Sequence, residues 1–179
     1  MQLTEAELSI DRYYSTVTRI KDFLETAGTA EKPGIFAELE KLLLSFKDKF
    51  HNAMNDDFNT ASALGFIFEL IREVNKFLDS RPSGQKAKEL VTKTGELLAE
   101  VGGVMNIFNK TPEEWYRSLM KVKKIEFSEE ELLKKIAERQ EARKQKDWAT
   151  ADMIRKTLEE KGVILEDKKD GTTWKVKAG

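Results

Sequence analysis

The sequence of 179 residues contains no cysteine and a single histidine, His51. Without cysteine there is no disulfide framework, no thiol nucleophile and no zinc site of the cysteine/histidine kind. A serine–histidine–aspartate triad would have to use His51, and a histidine beside a helix end reads more simply as a solvated or capping residue. Proline is scarce, and Pro33, Pro82 and Pro112 each fall where a boundary between helices is expected. No stretch reaches the roughly 18 apolar residues of a membrane span. The opening MQLTEAELSIDRYY has neither a basic nor an apolar leader region, so a cytoplasmic location is expected. Charge of one sign is missing too: 31 basic side chains face 32 acidic ones, a net of −1, which gives no global signature of nucleic-acid binding. The distribution is uneven, because residues 121–179 carry 16 basic and 13 acidic side chains.

What is present is 40% hydrophobic and 35% charged residues, enough for one core or for a core with a small satellite. Apolar residues recur at helical spacing. Leu8, Tyr13 or Tyr14, Val17, Ile20 and Leu24 fit a first helix with Thr4 as N-cap, and Gly28 ends it. A turn through Pro33-Gly34 leads to a second helix with the stripe Phe36, Leu39, Leu43, Phe46 and Phe50. Asp56, Asp57 and Asn59 then crowd the start of a third helix, where carboxylates and amides satisfy free backbone N–H groups; Thr60 is taken as its N-cap. Leu64, Ile67, Phe68, Ile71, Val74 and Leu78 make this helix apolar almost all round, so others must bury it. A fourth helix presents Leu90, Leu97, Leu98, Val101, Val104 and Met105, and Thr111-Pro112-Glu113-Glu114 opens a short fifth. Short loops between such helices predict an antiparallel bundle.

Ser128-Glu-Glu-Glu131 is a capping box that begins a further helix with Leu132, Leu133, Ile136 and Ala137 inside. From Glu138 that helix turns polar, and Arg139, Arg143 and Lys146 form a ridge facing water or a partner. Another helix runs from Trp148 through Ala151, Ile154 and Leu158 to Gly162. The period then changes to two short strands, 163–167 and 172–176, around an Asp170-Gly171 turn signal. A lone hairpin is only marginally stable, so it must lie on the two helices. The expected fold is mainly α, an antiparallel helical bundle in residues 1–122 followed by a small α+β C-terminal module of two helices and a β-hairpin in 123–179.

Two phrases are more specific. Ala53-Met-Asn-Asp-Asp-Phe-Asn-Thr60, followed by Ala63-Leu64, resembles the helical tRNA-binding region of cysteinyl-tRNA synthetases, where it usually reads AMDDDFNTP and then AL; here Asn55 and Ala61 depart from it. The series Glu138-Arg139, Ala142-Arg143, Lys146-Asp-Trp148, Ala151-Asp152, Ile154-Arg155, Leu158, Gly162, Leu165-Glu-Asp167 and Gly171-Thr-Thr-Trp174 looks like the C-terminal end of the same family. The resemblance implies a bundle that docks on cysteine tRNA and a module that reads the anticodon GCA, with Arg143, Trp148, Asp152 and Asp167 as readers. Arg139, Lys146 and Arg155 would be contacts to the RNA backbone.

The chemistry of these residues suits that role. Unpaired loop bases are recognised by stacking on aromatic or guanidinium planes and by hydrogen bonds to their edges. An aspartate accepts from guanine N–H groups or the cytosine amino group, and arginine donates to phosphate or base acceptors. Trp148 and Asp152 lie four residues apart, on one helix face with Arg155. Each residue also has a plainer explanation. Trp148 could be a lid on the small core, Asp152 could pair with Arg155 or Lys156, Asp167 could cap the hairpin, and the basic ridge could be a solvated face.

The family's aminoacylation centre carries HIGH and KMSKS phrases and uses ATP and zinc; none of those phrases occurs here. The expectation is the tRNA-binding part of a cysteine-tRNA ligase, not catalytic and without a cofactor of its own, in a chain that starts after the catalytic part with Met1 as an added start. Its partners would be tRNA and the catalytic domain of the same synthetase, with no membrane and no DNA. A stand-alone tRNA-binding paralogue and a helical protein-interaction or structural bundle are the alternatives. An enzyme using Asp56 and Asp57 as acid and base, or as Mg²⁺ ligands, is a third, although helix capping accounts for both residues.

Overall fold

The computed structural model describes residues 2–30, 36–168 and 171–177. In these residues seven helices precede one hairpin: α1 Gln2–Thr26, α2 Ala37–Asn55, α3 Thr60–Asp79, α4 Gln85–Val104, α5 Pro112–Val122, α6 Glu129–Lys144, α7 Trp148–Glu160, β1 Val163–Lys168 and β2 Gly171–Val176. The expected mainly α fold with a small α+β tail is what forms. Pro33-Gly34 and Asp170 lie outside the described residues. Packing divides the chain into two compact units, Ala6–Pro112 and Glu113–Gly179 together with Met1–Glu5.

The first unit is a four-helix bundle. Phe36 before α2 meets Phe77 at the end of α3, so α2 and α3 run in opposite directions. Glu40 and Lys47 of α2 pair with Lys86 and Glu100 of α4, which makes those two parallel. Tyr13 of α1 stacks on Phe108 beyond α4, and Gly95 in the middle of α4 faces Ile20, so α1 and α4 are antiparallel. The up-down-up-down order buries Leu39, Phe46 and Phe50 against Ile67, Leu70, Ile71 and Val74, with Val91 and Leu98 closing the core. Burial stabilises by about 25 cal/mol per Å² of apolar area removed from water.

Several helix ends and faces differ from expectation. Thr4 lies inside α1. The cap of α3 is Asn59, whose side chain accepts from the Ser62 N–H at 3.1 Å, while Thr60 is the first helical residue. Asp56 is the C-cap of α2, and Asp57 and Phe58 take left-handed φ values of 50° and 55°, so neither aspartate caps α3. Val104 and Leu133 are exposed, as is Ala137. Val91 is buried and Leu90 only half-buried.

The second unit has its own core. Tyr116, Leu119 and Met120 of α5 pack with Leu132 and Ile136 of α6, Ile154 and Leu158 of α7, and Val163, Leu165 and Val176 of the hairpin. Because α5 supplies three of these residues, the units part at Pro112, upstream of the boundary expected between residues 122 and 123. Ser128 and Glu131 form the expected capping box. The strands are antiparallel in the register Val163↔Val176 through Lys168↔Gly171, a two-residue connection that sets Asp167 opposite Thr172. Gly162, at φ 82°, turns the chain from α7 into β1, and a Cβ there would lie 3.3 Å from Ile125. The left-handed conformation and the close approach both favour glycine.

Candidate nucleic-acid interface

Leu132, Ile136 and Arg139 follow one another at spacings of four and three, so Arg139 continues the buried stripe of α6. Its side chain is only 5% exposed. A guanidinium there needs an anion, and β1 supplies Asp167. Arg139 donates from Nη1 to Oδ1 at 2.7 Å and from Nη2 to Oδ2 at 2.8 Å, a two-pronged charge-assisted pair. Thr172, opposite Asp167 across the hairpin, donates from Oγ1 to Oδ1 at 2.8 Å. One turn along α6, Arg143 reaches Oδ2 at 2.6 Å from a side chain 41% exposed. Hydrogen bonding by Arg139 above all, with Thr172 and Arg143 adding to it, holds the Asp167 carboxyl far below the ordinary carboxylate range although burial opposes this. The same contact with Asp167 pushes the Arg139 guanidinium up, with the charge of Asp152 contributing.

The link between α6 and α7 is short and closed. Lys146 N–H donates to the Arg143 carbonyl at 3.1 Å and Asp147 N–H to the Ala142 carbonyl at 2.9 Å, with Lys146 at φ 61°, which terminates α6 by a Schellman motif. Asp147 at once caps α7, its side chain accepting from the Thr150 N–H at 3.1 Å. Trp148 is therefore the first residue of α7 and is 58% exposed. It is not a lid on the core. Asp152 and Arg155 follow on the same face, both exposed, with Met153 beside them. Among the described residues Asp152 pairs with neither Arg155 nor Lys156, and Lys156 instead faces Glu160.

The structure thus gathers Arg143 and Asp167 into one cluster and sets Trp148, Asp152 and Arg155 in an exposed row on α7. Arg139 is buried beneath Asp167, so it is no surface contact, and Lys146 lies past the end of α6 instead of on a ridge with Arg139 and Arg143. The sequence carried a sign of the buried pair, namely a charged residue in phase with Leu132 and Ile136. Trp174 of β2 is half-buried and packs against the core of the second unit. Among the described residues no group of three or more histidine or acidic side chains could hold a metal ion, and no helix is long and apolar enough to cross a membrane.

Residues 49–109 match the model of the DALR domain, and residues 129–174 match that of the cysteinyl-tRNA ligase anticodon binding domain. A helical bundle joined to an anticodon-binding module places the chain among aminoacyl-tRNA synthetases. Within that class its likeness is to the cysteinyl-tRNA ligases, whose anticodon-binding model matches residues 129–174. It is 49% identical over 176 residues to the cysteine–tRNA ligase of Thermodesulfovibrio yellowstonii, a match covering 98% of this chain and 36% of the relative. To the cysteine–tRNA ligase of Geobacter metallireducens it is 38% identical over 179 residues, with the same two coverages. To that of Geobacter sp. strain M21 it is 36% identical over 177 residues, again covering 98% of this chain and 36% of the relative. The chain thus spans little more than a third of the length of the curated relatives it matches.

Proposed function

We propose that this chain binds cysteine tRNA and recognises its GCA anticodon, serving the ATP-dependent aminoacylation carried out by a cysteine–tRNA ligase. The chain itself contributes binding and needs neither ATP nor zinc; the catalytic domain of the same synthetase is its other partner. The observation that carries the proposal is the row on α7: Trp148 and Asp152 are exposed and one helical turn apart, and the charge of Asp152 acts on Arg139, which holds Asp167. In that arrangement the indole stacks on an unpaired base, Asp152 accepts from a base N–H group, and the outer guanidinium N–H groups of Arg143 meet a base acceptor or phosphate. Arg155 and Lys146, exposed on either side, are placed to contact the sugar-phosphate backbone. The bundle contacts the remainder of the tRNA and orients its acceptor end.

The test is the affinity of this chain for a cysteine tRNA transcript and for the same transcript with its anticodon bases changed. Tighter binding of the unchanged transcript is expected. Trp148→Ala should weaken it by about 5- to 150-fold, the stacking contribution of one base. The thermal midpoint should barely move, because the indole is exposed. Equal binding of all transcripts would refute anticodon recognition by these residues.

A further inference from the structure

We infer that Arg139 is a specificity-determining positioning residue, clamping Asp167 from its buried side so that exposed Arg143 can leave that carboxylate for RNA while the carboxylate stays in place. The inference rests on the reading that this module recognises anticodon bases. Arg139 is 4% exposed and cannot touch RNA itself. Any influence on recognition passes through Asp167.

Three hydrogen bonds and the close ion pair with Arg143 surround Asp167, about as many partners as a carboxylate has acceptor sites, so a base cannot join without displacing one of them. They differ in how easily they can be given up. Arg139 makes two of the hydrogen bonds from a buried guanidinium, and breaking them would leave that charge unpaired away from water. The Thr172 bond is fixed by the strand register. Among the described residues Arg143 makes one contact with the carboxylate, to Oδ2, from a side chain 41% exposed, and water or a phosphate can replace what it loses.

Arg143 is thus the exchangeable partner. When it turns to an RNA acceptor, Oδ2 opens toward solvent and can accept from the amino or imino N–H of a base edge. A base that offers no donor leaves Oδ2 unpaired, which is where discrimination arises. The carboxylate can serve this way only while the Arg139 fork holds its plane. Arg139 also keeps a buried Nε–H that has no hydrogen-bond partner among the described residues. Leucine or methionine, continuing the stripe of Leu132 and Ile136, would avoid that cost; what they could not supply is the fork.

The experiment measures binding of the full chain to the cysteine tRNA transcript and to transcripts with each anticodon base changed, for the wild type, Arg139→Gln, Arg139→Lys and Thr172→Val. For Arg139→Gln the preference for the unchanged transcript should fall at least about 10-fold, while affinity for the changed transcripts moves by less than about 3-fold. Arg139→Lys, which keeps the charge and loses the fork, should lie between the two. Thr172→Val, which keeps shape and removes one bond, should lower the preference by about 2- to 5-fold. A folded Arg139→Gln protein with unchanged preference would overturn the inference, and so would one that weakens on all transcripts alike, the mark of a merely structural role. If circular dichroism shows that Arg139→Gln does not fold, Thr172→Val decides: a reduced preference supports the clamp and an unchanged one overturns it. A wild-type chain that shows no preference would sink the base-reading proposal itself and this inference with it, an outcome distinct from failure in the variants alone.

Discussion

Asp167 concentrates the electrostatics of the small unit into one side chain. Its carboxyl is held far below the ordinary range, first by Arg139, so its folded-state pKa is lower than its unfolded one. A group shifted in that direction stabilises the fold above its unfolded pKa, and the contribution disappears as pH falls through the folded value. Thermal melts should therefore show wild type well above Asp167→Asn at neutral pH, and the gap should narrow as pH drops below about 4. A gap independent of pH would mean that shape, not charge, is what the residue supplies. Arg139 was legible in principle, since it falls in phase with Leu132 and Ile136. Its partner was not, because pairing residues 28 positions apart requires knowing how the hairpin folds back on α6. Trp148 misleads for a different reason. Spacing aligns it with the core residues Ala151, Ile154 and Leu158. Side chains lean toward the helix N-terminus, however, so at the first position the indole projects past the helix end.

At the scale of elements, helix number, order and buried faces were written in the 3.6-residue pattern, and the hairpin in its change of period. The ends were not. A sequence reader looks for glycine just past a helix, yet four connections here turn on Arg81, Asn106, Lys124 and Lys146, with φ between 50° and 61°. Backbone bonds close these turns whatever the side chain: Ile125 N–H reaches the Met120 carbonyl at 3.0 Å across Lys124. A non-glycine residue in the left-handed region costs about 1–2 kcal/mol, and glycine adds back up to about 1 kcal/mol through its freer unfolded chain. Lys124→Gly should thus raise stability to urea by up to about 1 kcal/mol. Lower stability would show that the Lys124 side chain contributes something its backbone does not reveal.

The molecule as a whole is electrically almost neutral, while residues 121–179 carry a net +3. The logarithm of the affinity for tRNA that comes from phosphate contacts should fall linearly with the logarithm of salt concentration, with a slope of about 0.7–0.9 per phosphate neutralised. A titration from low to high salt reads this directly. A flat response would point to an apolar protein interface instead of RNA. The two cores also change how the chain is divided: α5 was expected to end the bundle, but Tyr116, Leu119 and Met120 serve the second core. The join between α6 and α7 has a consequence for the chain's history. Asp147 closes one helix and caps the next, so no residue there can absorb a change of length. One inserted residue must either unwind a turn or advance α7 by about 100° of phase, which would turn the face that carries Trp148 and Asp152. Substitutions can accumulate in this stretch, but insertions and deletions cannot, and its register acts as a fixed gauge against which every other part of the module may drift.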